Sequence, residues 1–328
     1  MNNLLLVSSP PHIHSALNHK NAVLFIILCL SPAVITGTIF FGFYALGIIC
    51  ISIFSSLSFE IVFEYFTKRK ITIYDGTAIL TGLLLGLSLP PGVPFWIPIL
   101  GGGFAIIVTK QLFGGFGFNL LNPALTGRAF LVLTFPGIMA TSYQTPLKGT
   151  LSGMDTITQA TPLTVLKNPG YYGNVNLILE KFSSASYLKI LFFGQIGGAI
   201  GETCKILLLI GGLFLLLLKI IDYKIVVGYI FSFLLLNLLL PGRINPLFQL
   251  FSGGVILAIF FMATDWVTTP ITKYGRWIFG IGCGVFTVLI RYFSGYPEGV
   301  TPAILLMNIL TPLIDKLVIK RRTECQKT

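Results

Sequence analysis

The chain has 328 residues, of which 54% are hydrophobic and only 10% charged, with a mean hydropathy of +0.87. A soluble globular domain carries about 25% charged residues, so the composition excludes that class and leaves an integral membrane protein. Lys and Arg outnumber Asp and Glu by 22 to 11, yet Lys68-Arg69-Lys70 and Lys320-Arg321-Arg322 flank apolar runs, as positive-inside anchors do, which excludes a nucleic-acid partner.

Residues 1–20 form a polar cytoplasmic lead-in. Pro10 and Pro11 favour extended backbone before His12 and His14, and no small-residue cleavage site marks a signal peptide. Residues 21–66 are apolar throughout, and because one crossing needs about 20 residues they predict two helices, 21–43 and 45–66, turning near Gly42 or Gly47. Glu64 reads as interfacial. Glu60 lies deeper, and an ionisable group inside a span is a functional candidate. A short third segment, 77–89, ends at Pro90-Pro91-Gly92; a fourth, 95–113, carries Lys110 near its end. The stretch from Gly114 to Pro123 is rich in Gly and Asn but has no Gly-Lys-Ser/Thr phosphate loop, so it reads as irregular backbone buried in protein or lining a polar cavity. The fifth helix, 124–140, contains Arg128.

Residues 141–193 are the one long polar interruption. The glycine-laden 188–200 predicts a re-entrant or broken element. A sixth helix follows to residue 221, with Glu202 and Lys205 near its start. Further helices are expected at 225–240, 250–267, 275–290 (ending at Arg291) and 300–318. The five cysteines form neither a Cys-x-x-Cys nor a Cys/His set at ligand spacing, which points to no metal centre.

The fold expected is an all-α polytopic membrane protein of about ten transmembrane helices. Its divisions are a cytoplasmic segment 1–20, a five-helix repeat 21–140, a long extracytoplasmic loop 141–193, a second five-helix repeat 194–319 and a basic cytoplasmic tail 320–328. With both termini inside, Lys68, Arg69, Lys70, Lys110, Lys219, Lys224, Lys273 and Arg276 fall on the cytoplasmic side, as the positive-inside rule requires. The halves echo each other: Asp75-Gly76-Thr77-Ala78-Ile79-Leu80 resembles Ser252-Gly253-Gly254-Val255-Ile256-Leu257, and Gly103 precedes Lys110 by the spacing that separates Gly284 from Arg291. An odd number of helices per half makes the repeats inverted, which places a site at their interface. Glu60, Lys110, Glu202 and Arg291 are the candidates for an ion path.

The loop contains Asp155-Thr156-Ile157-Thr158-Gln159-Ala160-Thr161-Pro162-Leu163. Read physically it is a capped turn, with Asp and Thr oxygens accepting from nearby backbone N–H groups. Its pattern, Asp-x-x-Thr-x-Ala-Thr, resembles the acceptor motif on which flavin transferases esterify FMN to the last Thr. Together with Lys110-Gln111-Leu112-Phe113-Gly114-Gly115, Asn122-Pro123-Ala124 and Gly295-Tyr296-Pro297-Glu298-Gly299, it makes the chain resemble the D subunit of the Rnf complex, the ion-pumping ferredoxin:NAD oxidoreductase of bacterial membranes. The B subunit of the sodium-pumping NADH:quinone reductase is a more distant resemblance.

That resemblance implies FMN bound covalently through its phosphate to Thr161, with Asp155, Thr158 and Ala160 completing the flavinylation motif and no group catalytic on its own. Gln159 stands where Gly is frequent. A second, non-covalent flavin such as riboflavin is also allowed by it. The implied partners are the other membrane and peripheral Rnf subunits (A, B, C, E and G), a flavin transferase during maturation and the lipid bilayer. The place is the bacterial inner membrane, and the activity belongs to the translocase complex. Lys148 and Lys167 are expected near the phosphate. Two other readings stand beside it: a flavin-free inverted-repeat channel or transporter for a small solute, and a scaffold for neighbouring subunits.

Overall fold

A computed structural model describes residues 18–69, 71–146, 161–167, 182, 184–194, 196–240 and 245–325. Those residues are helical with connecting turns and contain no strand. The chain opens with α1 (His19–Phe41) and α2 (Phe43–Phe66). On α1 the inward residues Ala22, Val23, Ile26, Cys29, Leu30, Ala33 and Gly37 recur at helical spacing. Leu24, Leu28, Ile35 and Ile39 on the other faces stay exposed, apolar on both sides as a span must be. Pro32 withdraws the N–H that Leu28 O would accept; Ser31 Oγ supplies it instead at 2.8 Å. Gly42, at φ +80°, closes α1 and starts α2, which settles the turn expected near Gly42 or Gly47.

There follow α3 (Thr77–Ser88), α4 (Trp96–Phe104), α5 (Pro123–Thr134) and α6 (Pro136–Thr141). Helix α4 runs on into a π-helical stretch, Ala105–Gln111. The single fifth helix expected over 124–140 is split at Pro136, whose ring cannot continue α5. After the loop come α7 (Pro162–Lys167), α8 (Ala185–Phe193), a 3-10 turn (Ile200–Glu202), α9 (Lys205–Leu217) and α10 (Tyr223–Leu239). The chain ends in α11 (Pro246–Phe251), α12 (Val255–Leu257, prolonged by a π segment Ala258–Met262), α13 (Lys273–Phe293) and α14 (Val300–Cys325).

Among the described residues four helices are long and apolar enough to cross a membrane: α1, α2, α13 and the Val300–Lys320 part of α14; α3, α9 and α10 are shorter apolar helices. This is a membrane protein. Without a hydrophobic drive between helices, close backbone approach through small residues holds such a bundle. A Cβ at Gly82 of α3 would lie 2.7 Å from Ser52 O of α2, and Ser52 Oγ donates to Gly82 O at 2.8 Å. On the other side a Cβ at Gly280 of α13 would lie 2.5 Å from Ile225 O of α10, and one at Gly284 2.6 Å from Tyr229 O. One hydrophobic core joins residues of α1–α5 to residues of α9–α14.

The eighth helix, expected as one piece over 250–267, breaks at Ser252-Gly253, where Gly253 takes φ +69°. Glu64, expected at the membrane interface, is covered by protein: it is 2% exposed, because the 3-10 turn Ile73–Asp75 folds back and Thr72 N–H and Oγ1 both donate to its carboxylate, at 2.9 and 2.5 Å.

Candidate functional site

Thr161 sits immediately before α7, whose first residue, Pro162, has no N–H to leave unsatisfied. Thr161 Oγ1 accepts from Thr164 N–H at 3.3 Å and pairs with Thr164 Oγ1 at 2.7 Å, a side-chain cap on the short helix. Three contacts seat that helix. Val165 and Leu166 pack against a small aromatic core, Phe182 and Phe248 stacked at 4.9 Å with Tyr187 beside them. Lys167 Nζ donates to Ser294 O beyond the end of α13. Leu163 is buried, and a Cβ at Gly253 would lie 2.8 Å from its Cδ1. Burial also pulls the Lys167 amine below its usual range. Lys167, expected near a phosphate, gives one of its three N–H donors to this carbonyl. Asp155, Thr158, Ala160 and Lys148 lie outside the described residues.

In front of Thr161 opens a cleft of about 410 Å³ walled by Leu163, Gly194, Gly197, Gly198, Ser252 and Gly253, with Glu202, Lys205 and Glu298 at its floor. Gly194, at φ +84°, ends α8 so tightly that a Cβ there would meet Thr203 O at 2.2 Å. Beneath the cleft five charged side chains are buried: Arg128, Glu202, Lys205, Arg291 and Glu298, each no more than 8% exposed. They come from α5, the 3-10 turn, α9, α13 and the loop before α14. A buried charge survives only if it is paired or hydrogen-bonded. Arg128 serves both acids, with Nη2 2.5 Å from Glu298 Oε2 and Nη1 3.5 Å from Glu202 Oε1. Arg291 is held by neutral acceptors: Gln249 O at 2.6 Å, Glu298 O at 2.8 Å and Ser252 O at 3.0 Å. Lys205 Nζ donates to Gly253 O at 2.8 Å and to Glu202 O. Two cations thus clamp the Ser252-Gly253 turn on which Leu163 rests. Tyr143 and Tyr296 complete the surroundings; burial, and then the carboxylate of Glu298, pushes both phenols up, so they are neutral.

The residues fit a tethered group in two respects: the hydroxyl that would carry it lines a cleft, and glycines keep that cleft open. Of the charged side chains that line it, Lys205 is a cation and Glu202 and Glu298 are carboxylates. Glu202 Oε1 and Arg128 Nε are buried without a hydrogen-bond partner, so the polar floor is not saturated by the protein alone.

Glu60 and Lys110, the other candidates, belong to a second buried network. Lys110 Nζ lies 2.5 Å from Glu60 Oε1 and 2.8 Å from Thr77 Oγ1, and Gln111 Nε2 donates to both Glu60 and Glu64, at 3.0 and 3.2 Å. It adjoins a cavity whose walls include Lys110, Asn119, Asn122, Phe260, Asp265 and Trp266. The structure therefore divides the four ion-path candidates between two networks: Glu202 and Arg291 belong to the first without touching each other, and Glu60 and Lys110 form an ion pair in the second. No cluster of three or more His, Cys, Asp or Glu fit for a metal occurs among the described residues. Sequence reasoning singled out Arg128 without finding its partners. The signal was available: a charge inside an apolar helix needs a counter-charge, and Glu202 and Glu298 are among the few acids in the second half.

Residues 6–324 match the NQR2, RnfD, RnfE family. The chain is 40% identical over 98% of its length, and 96% of the relative's, to the D subunit of the Na(+)-translocating ferredoxin:NAD(+) oxidoreductase complex of Acetobacterium woodii. It is 41% identical over 96% of its length, and 94% of the relative's, to the D subunit of the proton-translocating ferredoxin:NAD(+) oxidoreductase complex of Clostridium ljungdahlii. To the D subunit of the ion-translocating oxidoreductase complex of Shewanella denitrificans it is 35% identical, over 95% of its own length and 96% of the relative's.

Proposed function

Because the chain belongs to the NQR2, RnfD, RnfE family, we propose that it is the D subunit of an Rnf-type complex, coupling electron transfer between ferredoxin and NAD to translocation of a sodium ion or a proton. The observation that carries this reading is end-to-end similarity to two such subunits, whose names differ only in the ion. The other Rnf membrane and peripheral subunits are its partners, and the bacterial inner membrane its place.

Within that complex Thr161 is the attachment point of FMN. Thr161 Oγ bonds to phosphorus as a phosphoanhydride of the flavin donor breaks; the hydroxyl proton is released and the leaving phosphate half departs from the transferase. Bound flavin supplies one- and two-electron redox chemistry, linking carriers of the two kinds. The chain's part is to position it: Leu163 and Lys167 fix α7, and the cleft beside Thr161 leaves that hydroxyl open space. Asp155, Thr158 and Ala160 are the transferase recognition motif. The larger cavity beside Lys110 is the room for a second, non-covalent flavin such as riboflavin.

The arrangement proposed is ten crossings in two inverted halves, with both termini cytoplasmic and 141–193 outside. A local likeness supports it. Lys110 reaches Thr77 Oγ1, next to Gly76 at φ +72°, and Arg291 reaches Ser252 O, next to Gly253 at φ +69°. In each half the late basic residue holds a residue that adjoins a left-handed glycine. The flavin assignment is tested by in-gel fluorescence and peptide mass of the denatured chain: signal on the peptide holding Thr161, lost in Thr161→Ala, is expected. A native chain without flavin mass there would refute it and favour a flavin-free transporter.

A further inference from the structure

Helix α14 buries two polar side chains that no described residue satisfies. Asn308 is 1% exposed, yet neither Oδ1 nor Nδ2 of its carboxamide has a hydrogen-bond partner, and Thr301 Oγ1, in a residue 2% exposed, has none either. Exchanging the two amide atoms would change nothing, since both are unpaired. Other polar residues of the apolar helices find local partners. Asn237 of α10 donates to Phe233 O at 2.7 Å, and Thr311, further along α14, donates to Thr268 O at 3.0 Å. Asn308 lies eight positions, about 12 Å, into the 21-residue apolar part of α14, Val300–Lys320. It belongs to the buried side of that helix, which packs against α13 and α5. Thr301 shares that side two turns earlier, three positions after Glu298, whose carboxylate lies on Arg128. Ile304, fully buried, stands between the two.

An unpaired buried amide costs stability that a leucine of similar volume would not. Polar groups kept inside a membrane span at such a cost mark the route of an ion or a substrate. A ligand for Asn308 must accept from Nδ2 and also donate to Oδ1. Water does both, whereas a bare cation or an anion serves one end only. We infer that Asn308 holds a buried water midway along α14 and with it forms a hydrated stop for the translocated ion. A carboxamide and a water replace part of an ion's hydration shell without a fixed charge that would trap it. Ile304 makes this stop separate from the charged cluster beside Thr161. The stop presupposes the ion-translocating role and is independent of a flavin on Thr161.

The test uses the purified complex with the wild-type chain, Asn308→Leu and Asn308→Ser. Hydroxyl radicals made from water by a short X-ray pulse oxidise side chains that lie beside bound water. Met307, 3% exposed and next to Asn308, is expected to be oxidised in the wild type and protected in Asn308→Leu. The melting temperature is expected to rise in Asn308→Leu, which removes an unpaired buried amide, so a loss of function there is not a loss of fold. In vesicles holding the complex, ion uptake driven by reduced ferredoxin and NAD should fall several-fold in Asn308→Leu. It should return in Asn308→Ser, whose hydroxyl keeps a donor and an acceptor for water. Equal oxidation of Met307 in wild type and Asn308→Leu, or a lower melting temperature in Asn308→Leu, overturns the bound water. Unchanged ion uptake in Asn308→Leu overturns the stop. A wild-type complex that passes electrons without moving ions overturns the ion-translocating role instead, and is told apart because Met307 is still oxidised.

Discussion

Arg128 shows how much one side chain carries in this fold. It is the counter-charge of both Glu202 and Glu298, so its removal strands two buried carboxylates. Breaking a buried pair by deleting one partner costs about 3–5 kcal/mol, and Arg128→Met is expected to lose at least that, read as a large drop in melting temperature; Glu298→Gln, which keeps shape and one acceptor, should lose less. Asp222, in the loop before α10, offers a milder contrast. Burial alone would raise its carboxyl, but the Lys224 N–H and the Arg276 guanidinium, 2.5 Å away, hold it below the usual range. Since the folded value lies below the unfolded one, the stabilisation is whole above the ordinary Asp range, near pH ~4, and fades as the pH falls through the folded value. The melting-temperature gap between wild type and Asp222→Asn should be constant above about pH 5 and close in acid. Its size should be about 1 kcal/mol, since the pair is only partly exposed.

At the level of elements, the long apolar helices were plain in the sequence, because a run that must bury its backbone in lipid leaves a continuous hydropathic trace. α1, α2, α10, α13 and α14 fall within a few residues of their expected places, apart from the longer tail of α14. What escaped is whatever a distant residue imposes. Ser252-Gly253-Gly254 is a turn signal within residues 250–267, but what satisfies the carbonyls freed there is not local: Arg291 and Lys205 do so, side chains 39 and 48 positions away. The cover over Glu64 has the same character: Gln111, 47 positions on, donates to its carboxylate. The Ser252-Gly253 turn is also where an element-level substitution should bite. Gly253→Ala places a Cβ at φ +69° and 2.8 Å from Leu163. Such strain costs of order 1–3 kcal/mol, and displacing Leu163 should loosen α7. The expected outcome is a lower melting temperature together with altered protease sensitivity around residues 161–167, and limited proteolysis checks it.

Across the whole molecule, the site is built from parts that are far apart in the chain. Thr161 follows the first half; Glu202, Lys205, Arg291 and Glu298 come with the second; Arg128 reaches across from the first to pair with the second. The motif named the residue, while the charged floor under it emerged only from the packing. Orientation in the membrane is the matching prediction at this scale. An impermeant thiol reagent applied to intact cells should label Lys189→Cys, exposed on α8, above the background of the native cysteines. It should reach Lys316→Cys, exposed on α14, only after the membrane is opened. The reverse pattern would place residues 141–193 in the cytosol and remove Thr161 from the outer side.

The cap on α7 has a bearing on how the protein is made. Thr161 Oγ1 is half-buried and engaged with Thr164 through both its hydroxyl and its backbone N–H; an acceptor alcohol so latched presents a poor target to an incoming enzyme. Under the proposed attachment, transfer has to open this cap, so flavinylation is expected to run faster on chains whose six-residue helix is not yet seated.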